Sequence, residues 1–316
     1  VLKEKKLFVA SREALWIYEV SGLEVKQVGK FLPRENSPCW YRDVHCVQVK
    51  GNELFLASAL YPAGGKGGLT VLDISDPCKV QVLWEDNSIW VSDVEFFGED
   101  LLVAYGTKGW AYLRKKDRSW QKIGGAGPSQ RFGLARRIHL IGHCAYIACP
   151  PYTGYIAGGH TGYIVDVTNP ESPRFVKEAP YGCIGFYMVQ RKNLCYVLGS
   201  KLFIADVSNP KDPILLGSAS PCGTGTAVTE RHVFAGAVRG GLNVLEISDP
   251  KKPRFLANIR DPYPAFGYLT DTTFMNGLLF VRAYGNGIAV LDAVSYTHLR
   301  AHETRHELVC RLLLEK

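Results

Sequence analysis

The feature that most constrains this chain is a nine-residue pattern, Leu69-Thr-Val-Leu-Asp-Ile-Ser-Asp-Pro77, that returns several times. It reads Tyr163-Ile-Val-Asp-Val-Thr-Asn-Pro170, Leu202-Phe-Ile-Ala-Asp-Val-Ser-Asn-Pro210 and Leu242-Asn-Val-Leu-Glu-Ile-Ser-Asp-Pro250. Weaker copies run from Leu15 to Ser21, Trp110 to Arg114 and Ile288 to Asp292. The acidic position falls at Glu19, Asp73, Asp166, Asp206, Glu246 and Asp292, with Arg114 standing in the third copy. Successive steps are 54, 41, 52, 40, 40 and 46 residues. Self-similarity at a period near 40 residues marks a repeat architecture, and that decides the fold before any single motif does.

Each copy is an alternating run rich in Val, Ile and Leu, which is strand chemistry. Ser-Asp-Pro or Ser-Asn-Pro ends it, because Asp and Asn bond their own backbone while Pro fixes φ and removes a donor. A second Pro follows at Pro173, Pro213 and Pro253, and then another extended run. Hairpin-like pairs precede the copies, such as Val44–Lys50 with Glu53–Ala59, and Leu134–Ile141 with Ala145–Cys149. That makes four antiparallel strands per repeat, a to d, and no helical periodicity interrupts Leu2–Asp292. The pattern predicts an all-β fold, a β-propeller of about seven four-stranded blades whose first and last blades are incomplete, as one domain over residues 1–292. In particular Lys6–Ser11 reads as strand b of the first blade, with its strand a missing.

The residues also resemble a known family. Gly51-Asn-Glu-Leu-Phe-Leu-Ala57 upstream, with Gly68–Pro77, Leu202–Pro213 and Gly241–Pro253 downstream, is similar to the LVIVD repeat of bacterial and archaeal propeller proteins. The match is good in the second, fourth, fifth and sixth copies and poor in the first and third. The resemblance implies a propeller, often in an extracytoplasmic setting, and brings no catalytic residues with it. Val294-Ser-Tyr-Thr-His-Leu-Arg-Ala-His-Glu-Thr304 departs from the repeat and resembles a translated transposase adapter from DNA sequencing libraries. Residues 293–316 are therefore set aside as a non-native tail.

The formal charge of +7 is mild for 316 residues, and no basic run exceeds Arg114-Lys-Lys116, so a nucleic-acid partner is not expected. No apolar stretch reaches a membrane span. The nine cysteines show no C-x-x-C and no zinc-ligand spacing, so neither a metal nor a cofactor is expected. Cys46, Cys144 and Cys195 fall inside strand patterns, where a thiol behaves as a small hydrophobe.

In a propeller strand a lines the central channel, the d–a and b–c loops share one face, and the c–d turns lie opposite. The loops that expand here are on the first face: Gly29–Asp43, Gly124–Arg136 and Asn258–Tyr268 between blades, Tyr61–Gly68 and Pro151–Gly162 within them. Insertions on one face of a repeat array mark a binding face. Aligning the copies puts Trp40, Tyr41, Arg42, Asp43 and His45 near one channel mouth. Trp90, Ser92 and Asp93 follow from the next repeat, and Phe132, Arg136 and Arg137 from the one after. Tyr181, Thr224, Tyr263, Tyr268 and Thr270 complete the set. Aromatic faces with a few charges suit a glycan or protein ligand. The same residues also suit a plugged channel in which Asp43 or Asp93 pairs with Arg136. A carbohydrate hydrolase or lyase using His45, Arg136 and an acidic neighbour is the alternative reading; it requires those groups to converge. The repeated Asp73, Asp166, Asp206 and Asp292 are expected to fix strand ends rather than to do chemistry.

Overall fold

A computed structural model describes residues 2–3, 5–10, 14–21, 24–32, 44–59, 67–86, 90–106, 108–126, 134–149, 161–237, 240–259, 269–275, 277–283 and 287–292. Every regular element among them is a strand. The first sheet holds β1 (Leu2–Lys3), β2 (Lys6–Ala10), β3 (Leu15–Ser21) and β4 (Glu24–Phe31). The second holds β5 (Val44–Lys50), β6 (Glu53–Ala59), β7 (Gly67–Asp73) and β8 (Gln81–Asp86). The third holds β9 (Asp93–Phe97), β10 (Asp100–Ala104), β11 (Trp110–Lys116) and β12 (Ser119–Ala126). The fourth holds β13 (Arg137–Ile141), β14 (Cys144–Cys149), β15 (Thr161–Asp166) and β16 (Arg174–Glu178). The fifth holds β17 (Tyr187–Arg191), β18 (Leu194–Leu198), β19 (Leu202–Asp206) and β20 (Ile214–Ala219). The sixth holds β21 (Thr224–Val228), β22 (His232–Gly236), β23 (Leu242–Glu246) and β24 (Arg254–Ile259). The last, β25 (Leu269–Met275), β26 (Leu278–Ala283) and β27 (Gly287–Asp292), has three strands.

Each sheet pairs consecutive strands antiparallel, and the fold is an all-β propeller with four-stranded blades. Among the described residues six blades have four strands and the last sheet has three, where about seven blades with an incomplete first and last were expected. The first is complete, because the two-residue β1 supplies the strand a that sequence reading left missing, with Leu2 opposite Leu7. Sheets one to four fall in one compact unit, and sheets five to seven in a second that starts its main run at Pro180. The set-aside tail, 293–316, lies outside the described residues.

The repeated acid has a structural job. The Asp73, Asp166 and Asp206 carboxylates accept the backbone N–H of Ser75, Thr168 and Ser208 at 2.9, 3.0 and 2.8 Å. The next Asp or Asn does likewise: Asp76, Asn169, Asn209 and Asp249 accept from Cys78, Glu171, Lys211 and Lys251 at 2.9 to 3.2 Å. Two consecutive side-chain-to-backbone turns thus satisfy donors that the ending strand leaves orphaned. In five blades the c–d ladder also shifts register just before this position, which Arg114 occupies in the third, as between Ile204 and Ala205. Such a bulge sharpens the local twist.

The cores lie between blades, as a repeat that cannot cover its own faces demands. Phe55, Leu69 and Val71 of the second blade pack with Val94, Leu101 and Val103 of the third. Leu102, Trp110 and Tyr112 of the third pack with Ile138, Ile147 and Val165 of the fourth. In the second unit, Leu198 and Ile204 meet Val233 and Leu245.

Outside these cores the blades interlock through glycine. A Cβ on Gly29 of β4 would stand 2.1 Å from the Pro77 carbonyl oxygen of the next blade. One on Gly124 of β12 would stand 2.0 Å from that of Pro170, and one on Gly217 of β20 2.5 Å from that of Pro250. Gly29 and Gly124, expected to open loops, therefore sit inside strands d, where the missing side chain admits the neighbouring proline turn.

Candidate functional site

Strands β5, β9 and β13 are strands a of consecutive blades and pack as neighbours. Asp93 opens β9 and Arg137 opens β13. Alternation along β9 sends Val94 and Phe96 toward the second blade and Phe97 toward the fourth. Asp93 and Glu95 share the face of Phe97.

Asp93 is 3% exposed. Its carboxylate accepts the Ile138 N–H at 2.9 Å and Arg137 Nη1 at 3.1 Å, so one side chain of the third blade holds both backbone and guanidinium of the fourth. The Cys46 thiol of β5 lies against the same carboxylate. Burial first, and the Asp93 charge next, push that thiol well above its ordinary range. The preceding residues continue the seam: Val91 N–H donates to Ser58 O at 3.3 Å, and Ser92 Oγ donates to Ala135 O at 3.2 Å. Three blades are therefore tied together at the ends of their innermost strands.

Beside this knot lies a flat aromatic platform. The Trp90 indole rests on Gly106, where a Cβ would come within 2.6 Å of its ring. Gly106 is at φ +53, a conformation that glycine adopts without strain. Across the indole lies the Arg136 guanidinium, 5.3 Å from the ring centroid, a cation–π arrangement. Trp90 and Arg136 are both half-buried, and the indole Nε1 has no hydrogen-bond partner among the described residues.

The structure thus brings Trp90, Asp93, Arg136 and Arg137 together but changes the pairing. Asp93 binds Arg137, not Arg136, because consecutive residues at a strand entrance point opposite ways; Arg136 goes to the indole. Trp40, Tyr41, Arg42, Asp43 and Tyr268 lie outside the described residues. His45 is described only as a residue of β5. Tyr181 belongs to the second unit, is 60% exposed and meets Phe203 edge-on at 5.2 Å.

Sequence reading missed Glu95, although its place two residues beyond Asp93 on a strand was the signal. Burial, then the neighbouring Asp93 charge, lift its carboxyl to about 8, against a partial opposite pull from Arg137. On β10 the partner of Glu95 across the ladder is Leu102, and the Glu95 side chain makes no hydrogen bond to another described residue. Of the cysteines, Cys46, Cys144 and Cys195 are buried as expected, and so are Cys149, Cys183 and Cys222, none of them in a disulfide, whereas Cys78 is exposed, and its thiol donates to Val28 O at 3.3 Å. Cys39 lies outside the described residues. The described residues contain no helix long and apolar enough to cross a membrane, and no cluster that could hold a metal ion.

In the second unit hydroxyls take the place of these charges. Thr226 Oγ1 donates to Thr272 O at 3.0 Å and Thr272 Oγ1 to Phe234 O at 2.7 Å, both across the seam of adjacent blades.

Fold and repeat together define the class: a β-propeller carrying LVIVD repeats. The model of the LVIVD repeat family matches residues 42–82 and 193–220, which are the second and fifth copies; the fourth and sixth, expected to fit equally well, fall outside the matches. Among solved structures, a functionally unknown protein from Desulfotomaculum acetoxidans is similar at a TM-score of 0.64 and 13% identity, over 92% of this chain and 93% of its own. Sqt1 of Saccharomyces cerevisiae is similar at 0.60 and 9%, over 92% and 80%. BamB of Moraxella catarrhalis is similar at 0.56 and 11%, over 90% and 81%. At such identities the likeness shows the fold alone. No curated protein sequence matches the chain.

Proposed function

We propose that this propeller is a non-enzymatic binding protein that takes a protein or glycan ligand on its loop-rich face, at the entrance of the innermost strands. The observation that carries the reading is the Trp90 platform, backed by Gly106 and crossed by Arg136 at 5.3 Å. With Gly106 against the indole and the Arg136 guanidinium over it, the layered pair has little freedom to lose, and it offers a ligand a planar cation and its donors backed by an aromatic ring. Asp93 and Arg137 spend their charges on each other, and their part is to hold the entrance in shape. Trp40, Tyr41, Arg42, Asp43, His45, Tyr181 and Tyr268 belong to the same reading by sequence position.

The test is a glycan array and a peptide library screened with the intact chain, then repeated with Trp90→Ala and Arg136→Ala. A stacking anchor of this kind is worth roughly 2 kcal/mol or more, so each variant should lose at least about tenfold in affinity. Ligands bound with undiminished affinity by both variants would remove this face from consideration.

A further inference from the structure

Strand d is the outer edge of each four-stranded blade, bonded on one side only, to strand c. Exposed apolar side chains recur on these edges: Leu83 on β8, Phe175 on β16, Leu215 on β20 and Phe255 on β24. An open edge of this kind invites another strand, and charges along it are a usual guard. Five of the six edges carry at least one charged residue: Lys30 on β4, Glu85 on β8, Lys122 on β12, Lys177 on β16 and Arg254 on β24. The sixth, β20, reads Ile214-Leu-Leu-Gly-Ser-Ala219 and has none. One position makes the difference plain. Opposite the acid of strand c stand Arg174 in the fourth blade and Arg254 in the sixth, where Arg254 donates to Glu246. In the fifth blade Ile214, 61% exposed, stands opposite Asp206 instead. The register shift in the c–d ladder is common to five blades and does not set β20 apart.

We propose that the rim of the fifth blade is an interface between copies of this chain, β20 against β20, antiparallel about a two-fold axis. An open row of backbone N–H and C=O groups is matched by another such row, so the partner is a strand. In a two-fold pair, residue i of one copy stands opposite j of the other, and j opposite i. A charged edge paired with itself brings its own charges together, as Lys26 and Lys30 would on β4; β20 brings none together at any register. At full overlap Ile214 stands opposite Ala219, Leu215 opposite Ser218 and Leu216 opposite Gly217. Pro213 and Pro221 bound this stretch on both sides and limit the ladder to it. The formal charge of +7 opposes self-association at a distance, so added salt should tighten the dimer rather than loosen it.

So narrow an interface gives a weak dimer, and sedimentation velocity of the intact chain over a concentration series reads it. The wild type should pass from monomer to dimer, and at lower concentration in higher salt. Ile214→Arg restores the residue type of the fourth and sixth blades, and Leu215→Lys sets a charge near the two-fold axis; each should weaken the dimer at least about tenfold. Phe175→Lys, which removes an exposed aromatic from another rim, should leave it unchanged. A wild type that stays monomeric, a dimer that keeps its strength in both β20 variants, or one that Phe175→Lys weakens as much, overturns the proposal. Should the β20 variants fail to fold, hydrogen exchange in the wild type decides instead. Amides of β20 should exchange more slowly as concentration rises while those of β16 do not, and equal slowing or none sinks the interface.

Discussion

Replacing Gly217 by alanine tests the interlock between blades more sharply than any core truncation. The added methyl would lie 2.5 Å from the Pro250 carbonyl oxygen, 2.9 Å from Pro253 Cδ and 3.0 Å from the Lys251 carbonyl carbon. Two of the three are backbone atoms and the third belongs to a ring, so none can swing aside, and β20 must separate from the neighbouring turn. Forcing a methyl into a well-packed contact costs about 1–3 kcal/mol. Reduced freedom of the unfolded chain returns roughly 0.4–1 kcal/mol. The expected net loss is about 1–2 kcal/mol, read as a lower urea midpoint at unchanged slope. Gly51→Ala is the control, with nothing within 4 Å but φ +57, so its loss of about 1 kcal/mol has a conformational origin only. Because the same geometry recurs, Gly29→Ala and Gly124→Ala should cost as much as Gly217→Ala. If Gly217→Ala proves neutral or stabilising, strand d does not depend on this close approach and the reasoning is wrong.

Asp93→Ala strands Arg137 in the seam and should cost on the order of 3 kcal/mol, toward the low end of buried pairs because the Arg137 side chain keeps 20% exposure; thermal unfolding measures it. Thr272→Val takes a donor from Phe234 O and should cost about 1 kcal/mol by urea titration, with no effect on the Asp93 seam. Glu95 makes stability depend on pH in a known direction. Its carboxyl is raised to about 8 in the folded chain, so the folded form holds a proton that the unfolded form has released above about 4.5, and stability should fall as pH rises between those values and then level off. Unfolding midpoints of wild type and Glu95→Gln should diverge across that window. Asp206 has the opposite sign: the Ser208 hydroxyl and then its backbone N–H hold the carboxyl below its ordinary range, so its contribution is present at neutral pH and lost on acidification. Asp206→Asn should show less acid sensitivity than the wild type in the same scans.

Most of the fold was legible because its rule is local. The Asp206-Val-Ser-Asn-Pro210 stretch names a strand end, two side-chain turns and a reversal within five residues, and each of those bonds forms as written. The entrance was legible in part. Trp90, Asp93, Arg136 and Arg137 converge because they precede or open strands a, which period alone can place. Which arginine meets Asp93 was not legible, since Arg136 and Arg137 differ only in the direction their strand entrance gives them. Strand β1 escaped notice because two residues carry no periodicity. The role of Gly29 and Gly124 was hidden for another reason: a glycine next to a run of loop residues reads as part of the loop, and only the neighbouring blade shows what the absent side chain makes room for.

That last contact links residues from different copies, notch on one and tooth on the following one. Where the tooth is missing, the notch is filled. The third copy has Lys116-Asp-Arg-Ser119 in place of a proline turn, and the second blade presents Trp84, paired with Val71, where β12 and β20 present Gly124 and Gly217 across from Tyr112 and Ile204. These copies are therefore matched to their successors like keys cut in series: moving the second in place of the first, third or fifth would set an indole against a proline, and moving one of those in its place would leave a glycine facing empty space.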